Sequence, residues 1–182
     1  MKIFFDTEFL EDGKTIDLIS IGLVREDGKE LYLINKDMKV RQAIKDVWVR
    51  ENVMKGIFSE MVLTRDRFLQ DDERGFSERN FKNLLYYCGQ SKSDIAESIT
   101  YFVGRSPVFY AYCADYDWVA LMQLYGKMID KPKDWRFYCR DLRQTADETN
   151  FDTTIVLQGN QHNALGDARW NFMLFKEMSA IN

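Results

Sequence analysis

Residues 2–34 read KIFFDTEFLEDGKTIDLISIGLVREDGKELYLI, and the spacing of apolar residues in this stretch decides the fold. Ile3, Phe4 and Phe5 form a short apolar run that ends on Asp6, and residues 16–25 form a second run rich in Ile, Leu and Val. Continuous apolar runs of this length, bounded by turn residues, are characteristic of buried strands. Asp27-Gly28 supplies the favoured hairpin turn, and Leu31, Leu33 and Ile34 continue beyond it. The chain therefore opens with an expected three-stranded antiparallel meander whose first strand, residues 2–6, lies centrally.

Further along, Val40, Ala43, Ile44, Val47, Trp48 and Val53 keep helical spacing, which predicts a helix over residues 40–57. Residues 64–83 are dense in charge around Gly75, and the expectation there is an exposed loop with room for a short helix. Ser91 or Ser93 can cap a helix carrying Ile95, Ile99, Phe102 and Val103, with Gly104 as its stop. Pro107 opens a strand, and a helix bearing Val119, Leu121, Met122 and Leu124 follows it as far as Gly126. A short strand at 135–138, a helix from about Arg140 to Glu148 and a last helix from Ala164 complete the pattern. The fold class is α/β: a mixed sheet, antiparallel strands first and parallel strands after, flanked by helices. Residues 1–182 are expected to form a single domain, since 46% hydrophobic content can bury one core.

A net charge of −4 excludes a protein that holds polyanions simply by coating phosphates with Lys and Arg. Bound cations would have to help, or a local patch such as residues 127–143, where Lys127, Lys131, Lys133, Arg136, Arg140 and Arg143 outnumber Asp130, Asp134 and Asp141. The sequence contains no uncharged run long enough to span a bilayer and no leader pattern, so a cytoplasmic protein with no membrane partner is expected. Cys88, Cys113 and Cys139 are odd in number and form no CxxC pair, which leaves reduced core thiols as the reading.

Three constellations carry chemistry. Asp6-Thr7-Glu8 ends the first strand, where alternation puts both carboxylates on one face, a spacing that suits a shared hard cation. His162-Asn163-Ala164-Leu165-Gly166-Asp167 marks the entry to the last helix: Asn163 can cap it, and His162 is the chain's only histidine. Asp115-Tyr116-Asp117-Trp118 follows the strand that ends near Cys113, at the sheet edge where α/β sites assemble. Each has an ordinary explanation when taken alone, as a turn former, a helix cap or a surface imidazole, and position by itself does not choose between Asp115 and Asp117.

Together, in this order, they resemble the DEDDh exonucleases on the ribonuclease H-like fold. Asp6 and Glu8 resemble the first motif, Tyr116-Asp117 the second, and His162 with Asp167 the closing His-x-x-x-x-Asp. FFDTEFLEDGKTIDLISIGLVREDGKELY, AYCADYDWVALMQLYG, RFYCRDLRQ and HNALGDAR further resemble the exoribonuclease AS subfamily of polyadenylate-preferring ribonucleases, over nearly the full length. The segment 64–90 is the departure. The resemblance implies two divalent cations, Mg²⁺ or Mn²⁺, held by Asp6, Glu8, Asp117 and Asp167, with His162 as general base. It also implies a single-stranded RNA substrate, release of nucleoside 5′-monophosphates from the 3′ end, an adenylate preference and a homodimer. Phe9 and Leu10 would then pack on the terminal base, and Trp48, Arg50, Arg140 and Arg143 would be candidate strand contacts.

Single-stranded DNA is the competing substrate, since phosphodiester chemistry says nothing about the 2′-hydroxyl. A haloacid dehalogenase-type phosphatase fits less well, because Asp6-x-Glu8 and the hairpin after it replace the expected Asp-x-Asp and crossover helix. A catalytically silent nucleic-acid-binding module is disfavoured by the presence of all five side chains.

Overall fold

The computed structural model describes residues 1–159 and 161–181. Strands β1 (Lys2–Glu11), β2 (Ile16–Arg25) and β3 (Glu30–Ile34) form the meander, with β1 antiparallel to β2 and β2 antiparallel to β3. β1 outruns its apolar core because Asp6, Thr7 and Glu8 stay extended, up to a register shift between Glu8 and Phe9. Helices α1 (Val40–Lys45) and α2 (Val47–Val49), a π-helical stretch (Arg50–Met54) and α3 (Lys55–Arg65) come next. α4 (Glu78–Cys88) and α5 (Lys92–Val103) then lead into β4 (Val108–Ala111) and α6 (Asp115–Gln123). β5 (Arg140–Asp141), α7 (Leu142–Thr149) and α8 (Ala164–Ile181) finish the chain. The sheet order β3-β2-β1-β4-β5 places β1 at the centre, with β4 and β5 parallel to their neighbours.

Alternation along β1 divides the core. Ile3 and Phe5 face α5 and α6, where they cluster with Ile21, Leu23, Ile99 and Leu121. Phe4 faces α7 and α8, with Val24, Tyr110, Leu142 and Leu174. A third cluster, around Ile19, Val53, Phe58 and Phe81, lies among α1 to α4. Burial of apolar side chains at roughly 25 cal/mol per Å² makes these layers the main stabilising term. The helices and the sheet also lock together through side chains: Asn171 of α8 donates to the Phe5 carbonyl at 2.9 Å, and Arg169 makes a two-pronged pair with Glu30.

Four expectations need correction. The helix over 40–57 is interrupted at Asp46, which is extended and whose carboxylate caps the next turn by accepting from Val49 N–H at 2.9 Å. The charged stretch 64–83 is more helical than expected: α3 continues to Arg65, and α4 begins at Glu78 because Ser77 caps it and Phe81, Leu84 and Leu85 bury one face. Residues 135–138 form no strand. Trp135 is buried against Phe109 and Tyr125 while Phe137 and Tyr138 stay exposed, so the segment is a loop anchored by one ring, and pairing starts only at Arg140. All three cysteines are free, but Cys113 is exposed, so it is no core thiol. Among the described residues, no helix is long and apolar enough to cross a membrane.

Candidate active site

Asp6 and Glu8 leave β1 on the Phe4 side, towards α8. Opposite Asp6 in the register stands Gly22 of β2. A side chain there would have no room: a Cβ would lie 2.3 Å from the Ala164 carbonyl oxygen and 2.4 Å from Leu165 Cα. Glycine therefore lets the first turn of α8 rest directly on the sheet, and that turn carries Asp167 down to Asp6 and Glu8. Ligand oxygens of the three acids lie within 4.8 Å of one another.

Asp117 approaches from α6 and is fixed by Thr7, the residue between the two β1 acids. Thr7 N–H donates to Asp117 Oδ1 at 2.9 Å and the Thr7 hydroxyl to the same oxygen at 2.5 Å. Asp117 is buried and faces the pocket, whereas Asp115 is exposed. Asp141, the cap of α7, accepts from Ala114 N–H at 2.7 Å and so holds the loop that launches α6. Asp167 is oriented by His162 N–H, 3.0 Å from Oδ2, and by Gln158 Nε2, 2.8 Å from Oδ1. Asn163 caps α8, its Oδ1 accepting from Gly166 N–H at 2.8 Å. His162 takes a left-handed backbone, φ 64, and its ring packs roughly perpendicular to that of Trp48, 4.8 Å between centroids.

Burial and mutual repulsion dominate the electrostatics. Burial, followed by Asp117, Glu8 and Asp167, holds the Asp6 carboxyl well above the ordinary carboxylate range. Burial, then Asp167 and Asp117, pushes Glu8 up to about 8. Burial raises Asp117 to about 6 against the opposing pull of its two Thr7 hydrogen bonds, with Asp141 and Asp167 adding repulsion. Acids packed this closely ionise together at neutral pH only beside compensating positive charge. The donor set is all hard oxygen, as Mg²⁺ or Mn²⁺ requires. Asn171 Oδ1, buried without a hydrogen-bond partner in a residue that lines the same pocket, is a further oxygen awaiting a positive or protic group. The residues thus fit a divalent cation.

The pocket has a volume of about 260 Å³, and its remaining wall is largely aromatic: Phe9, Trp48, Tyr112 and Trp170, with Gln158 and His162. Phe9 stacks on Tyr116 at 5.7 Å and 17°. Of the candidate strand contacts, Phe9 and Trp48 reach this pocket and four do not line it. Leu10 is buried in the cluster beneath α1 to α4, on the far side of the register shift. Arg50 pairs with Glu51 and the Ile44 carbonyl, Arg140 lies over the Tyr110 ring, and Arg143 pairs with Asp147 while donating to the hydroxyl of Tyr112. Thr7, Tyr112, Gln158, Trp170 and Asn171 line the pocket without having been singled out in the sequence. Trp170 and Asn171 stood three and four residues beyond Asp167, a spacing that shares a helix face, whereas nothing local marked Gln158.

An α/β domain with a buried carboxylate cluster at its central strand, its donors all hard oxygen, is the class that this fold and site define. The chain belongs to the family described as the 3′-5′ exoribonuclease Rv2179c-like domain, which it matches over residues 1–179. It is 31% identical over 185 residues to two Mycobacterium tuberculosis proteins, 3′-5′ exoribonuclease Rv2179c of strain H37Rv and 3′-5′ exoribonuclease MT2234.1 of strain CDC 1551, covering 100% of this chain and 95% of each relative. A chain in the structure of yeast NOT1 MIF4G domain co-crystallized with CAF1 superposes with a TM-score of 0.57 at 12% identity, over 99% of this chain and 79% of that one. That likeness is one of fold.

Proposed function

We propose that this chain is a metal-dependent 3′-to-5′ exoribonuclease of the DEDDh type that releases nucleoside 5′-monophosphates from single-stranded RNA. The observation that carries the reading is the convergence of Asp6, Glu8 and Asp167 within 4.8 Å, in a chain whose relatives are named 3′-5′ exoribonucleases. Asp6, Glu8, Asp117 and Asp167 would hold two divalent cations, Mg²⁺ or Mn²⁺. Bound there, the cations supply positive charge for the scissile phosphate and the developing negative charge of hydrolysis. Thr7 keeps Asp117 aimed inward, and Gln158 keeps Asp167 aimed at the β1 acids. His162, at the pocket wall, accepts the proton of the attacking water. Phe9 and Trp48 offer faces for the terminal base, contacts that any base satisfies and that leave adenylate preference to finer complementarity.

Digestion of matched, end-labelled RNA and DNA oligomers with varied 3′ residues, in Mn²⁺ or Mg²⁺, tests the proposal. RNA shortened one nucleotide at a time from the 3′ end, with 5′-monophosphate products, is expected. Faster digestion of DNA would reassign the substrate, and cleavage of a circular single strand would refute the exonuclease reading.

A further inference from the structure

Glu60 lies on α3, outside the carboxylate cluster, yet it reaches the loop that carries His162. Its Oε1 accepts a 2.7 Å hydrogen bond from Asn163 Nδ2. Asn163 in turn accepts from Gly166 N–H at 2.8 Å through its side chain and from Asp167 N–H at 2.9 Å through its carbonyl. An asparagine amide can present either end, and only its oxygen can accept a bond from the helix. A carboxylate accepts and does not donate, so Glu60 selects the orientation in which Asn163 turns its NH₂ outward and its oxygen towards α8. The residue before this cap is His162, in a left-handed conformation that costs a non-glycine residue roughly 1 kcal/mol or more. Its N–H is committed to Asp167. One bond from α3 therefore bears on the backbone of the histidine and on the acid it orients.

The surroundings of Glu60 argue against a residue kept only for helix packing. Glu60 Oε2, the Tyr32 hydroxyl and Ser20 Oγ are buried, and none meets a partner at full hydrogen-bond geometry. The Tyr32 hydroxyl lies beside both Ser20 and Glu60, and Ser20 stands opposite Glu8 in the β1–β2 register. Burying a carboxylate oxygen with incomplete partners is costly, and an apolar side chain would avoid that cost.

Resting on the exonuclease reading, we propose that Glu60 is a positioning residue for His162, acting through the amide of Asn163. A donor–acceptor swap tests this. Asn163→Asp sets two carboxylates against each other, and kcat on an RNA oligomer at saturating Mn²⁺ should fall by at least about tenfold with KM changed less than about twofold. Adding Glu60→Gln supplies an NH₂ that donates to the new carboxylate, and most of the loss should return. The second readout is independent of catalysis. As the chain has one histidine, its imidazole gives a single set of ¹H–¹³C signals, sensitive to the ring current of Trp48. These should shift in Asn163→Asp and return in the double variant. Should Asn163→Asp fail to fold, Glu60→Ala and Glu60→Gln replace it: the alanine variant should move the imidazole signals and lower kcat, while glutamine, which keeps a carbonyl acceptor, should restore both. No recovery in the double variant, or identical behaviour of Glu60→Ala and Glu60→Gln, overturns the proposal. If the wild type cleaves no RNA, the exonuclease reading falls, while the imidazole signals still decide the positioning role.

Discussion

Replacing Gly22 with alanine should damage the site without touching any of its functional groups. The added Cβ would sit 2.3 Å from the Ala164 carbonyl oxygen and 2.4 Å from the Ala164 carbonyl carbon and Leu165 Cα, all of them backbone atoms that no rotamer change can move aside. Ordinary contact between such atoms is about 3.5 Å, so α8 must retreat from the sheet by roughly 1 Å at its first turn. That turn carries Asp167, and His162 and Asn163 precede it directly. Overpacking of this kind costs about 1–3 kcal/mol, or roughly 2–12 °C in Tm for a domain of this size. A misplacement of about 1 Å in a catalytic constellation costs on the order of 10²-fold in rate. The assay pairs thermal melts with kcat on end-labelled RNA. Gly56→Ala is the control: a Cβ there meets nothing within 4 Å, in helix α3, so it should stabilise by up to about 1 kcal/mol and leave kcat alone. A Gly22→Ala protein with wild-type Tm and kcat would refute the claim that direct contact of α8 with β2 sets the site.

Because burial raises the Glu8 carboxyl from its ordinary 4.5 to about 8 in the folded state, its contribution to the stability of the metal-free protein should be full below pH 4.5 and lost as pH rises through about 8, and the raised Asp6 carboxyl acts in the same direction. For Glu8 alone the loss is at most roughly 5 kcal/mol; denaturant melts from pH 5 to 8 should show the slope, and saturating Mn²⁺ should flatten it. An unchanged slope with metal would contradict cation binding at these acids. His162→Ala should keep the fold and lower turnover by on the order of 10²- to 10⁴-fold; near-normal turnover would make it a bystander. Asp117→Asn should abolish detectable cleavage while Asp115→Asn retains most of it, as the buried and exposed positions of the two acids imply; the reverse result would move the role to Asp115.

Much of the architecture was legible because local pattern and tertiary demand agree. The apolar runs of β1 and β2, the Asp27-Gly28 turn and the Ser91 cap each have one good local solution, and the fold uses it. The charged stretch after Arg65 was misread because α4 buries only a narrow stripe, Phe81, Leu84 and Leu85, beneath an exposed face of Arg79, Lys82, Asn83, Tyr86 and Tyr87. Trp135 suggested a strand because an apolar cluster carries no mark of whether a ladder partner or a single ring contact will satisfy it. Within the site, Asp6, Glu8, Asp117, His162 and Asp167 could be singled out by their resemblance, in order, to three motifs of a known family. Thr7 and Gln158 could not, since their importance lies in hydrogen bonds across 110 and 9 residues that no periodicity encodes. Leu10 looked equivalent to Phe9 until the register shift after Glu8 sent it into the core.

Under the proposed mechanism, occupancy of the carboxylate cluster by divalent cations turns on 3′ shortening of RNA. Mn²⁺ titrated into chelator-treated protein, with free ion followed by electron paramagnetic resonance and cleavage of end-labelled RNA followed in the same samples, measures both quantities at once. Binding and one-nucleotide 3′ shortening should rise together in the wild type, and both should be lost in Asp6→Asn. Cleavage that persists in excess chelator, or Mn²⁺ binding and cleavage that survive in Asp6→Asn, would contradict it.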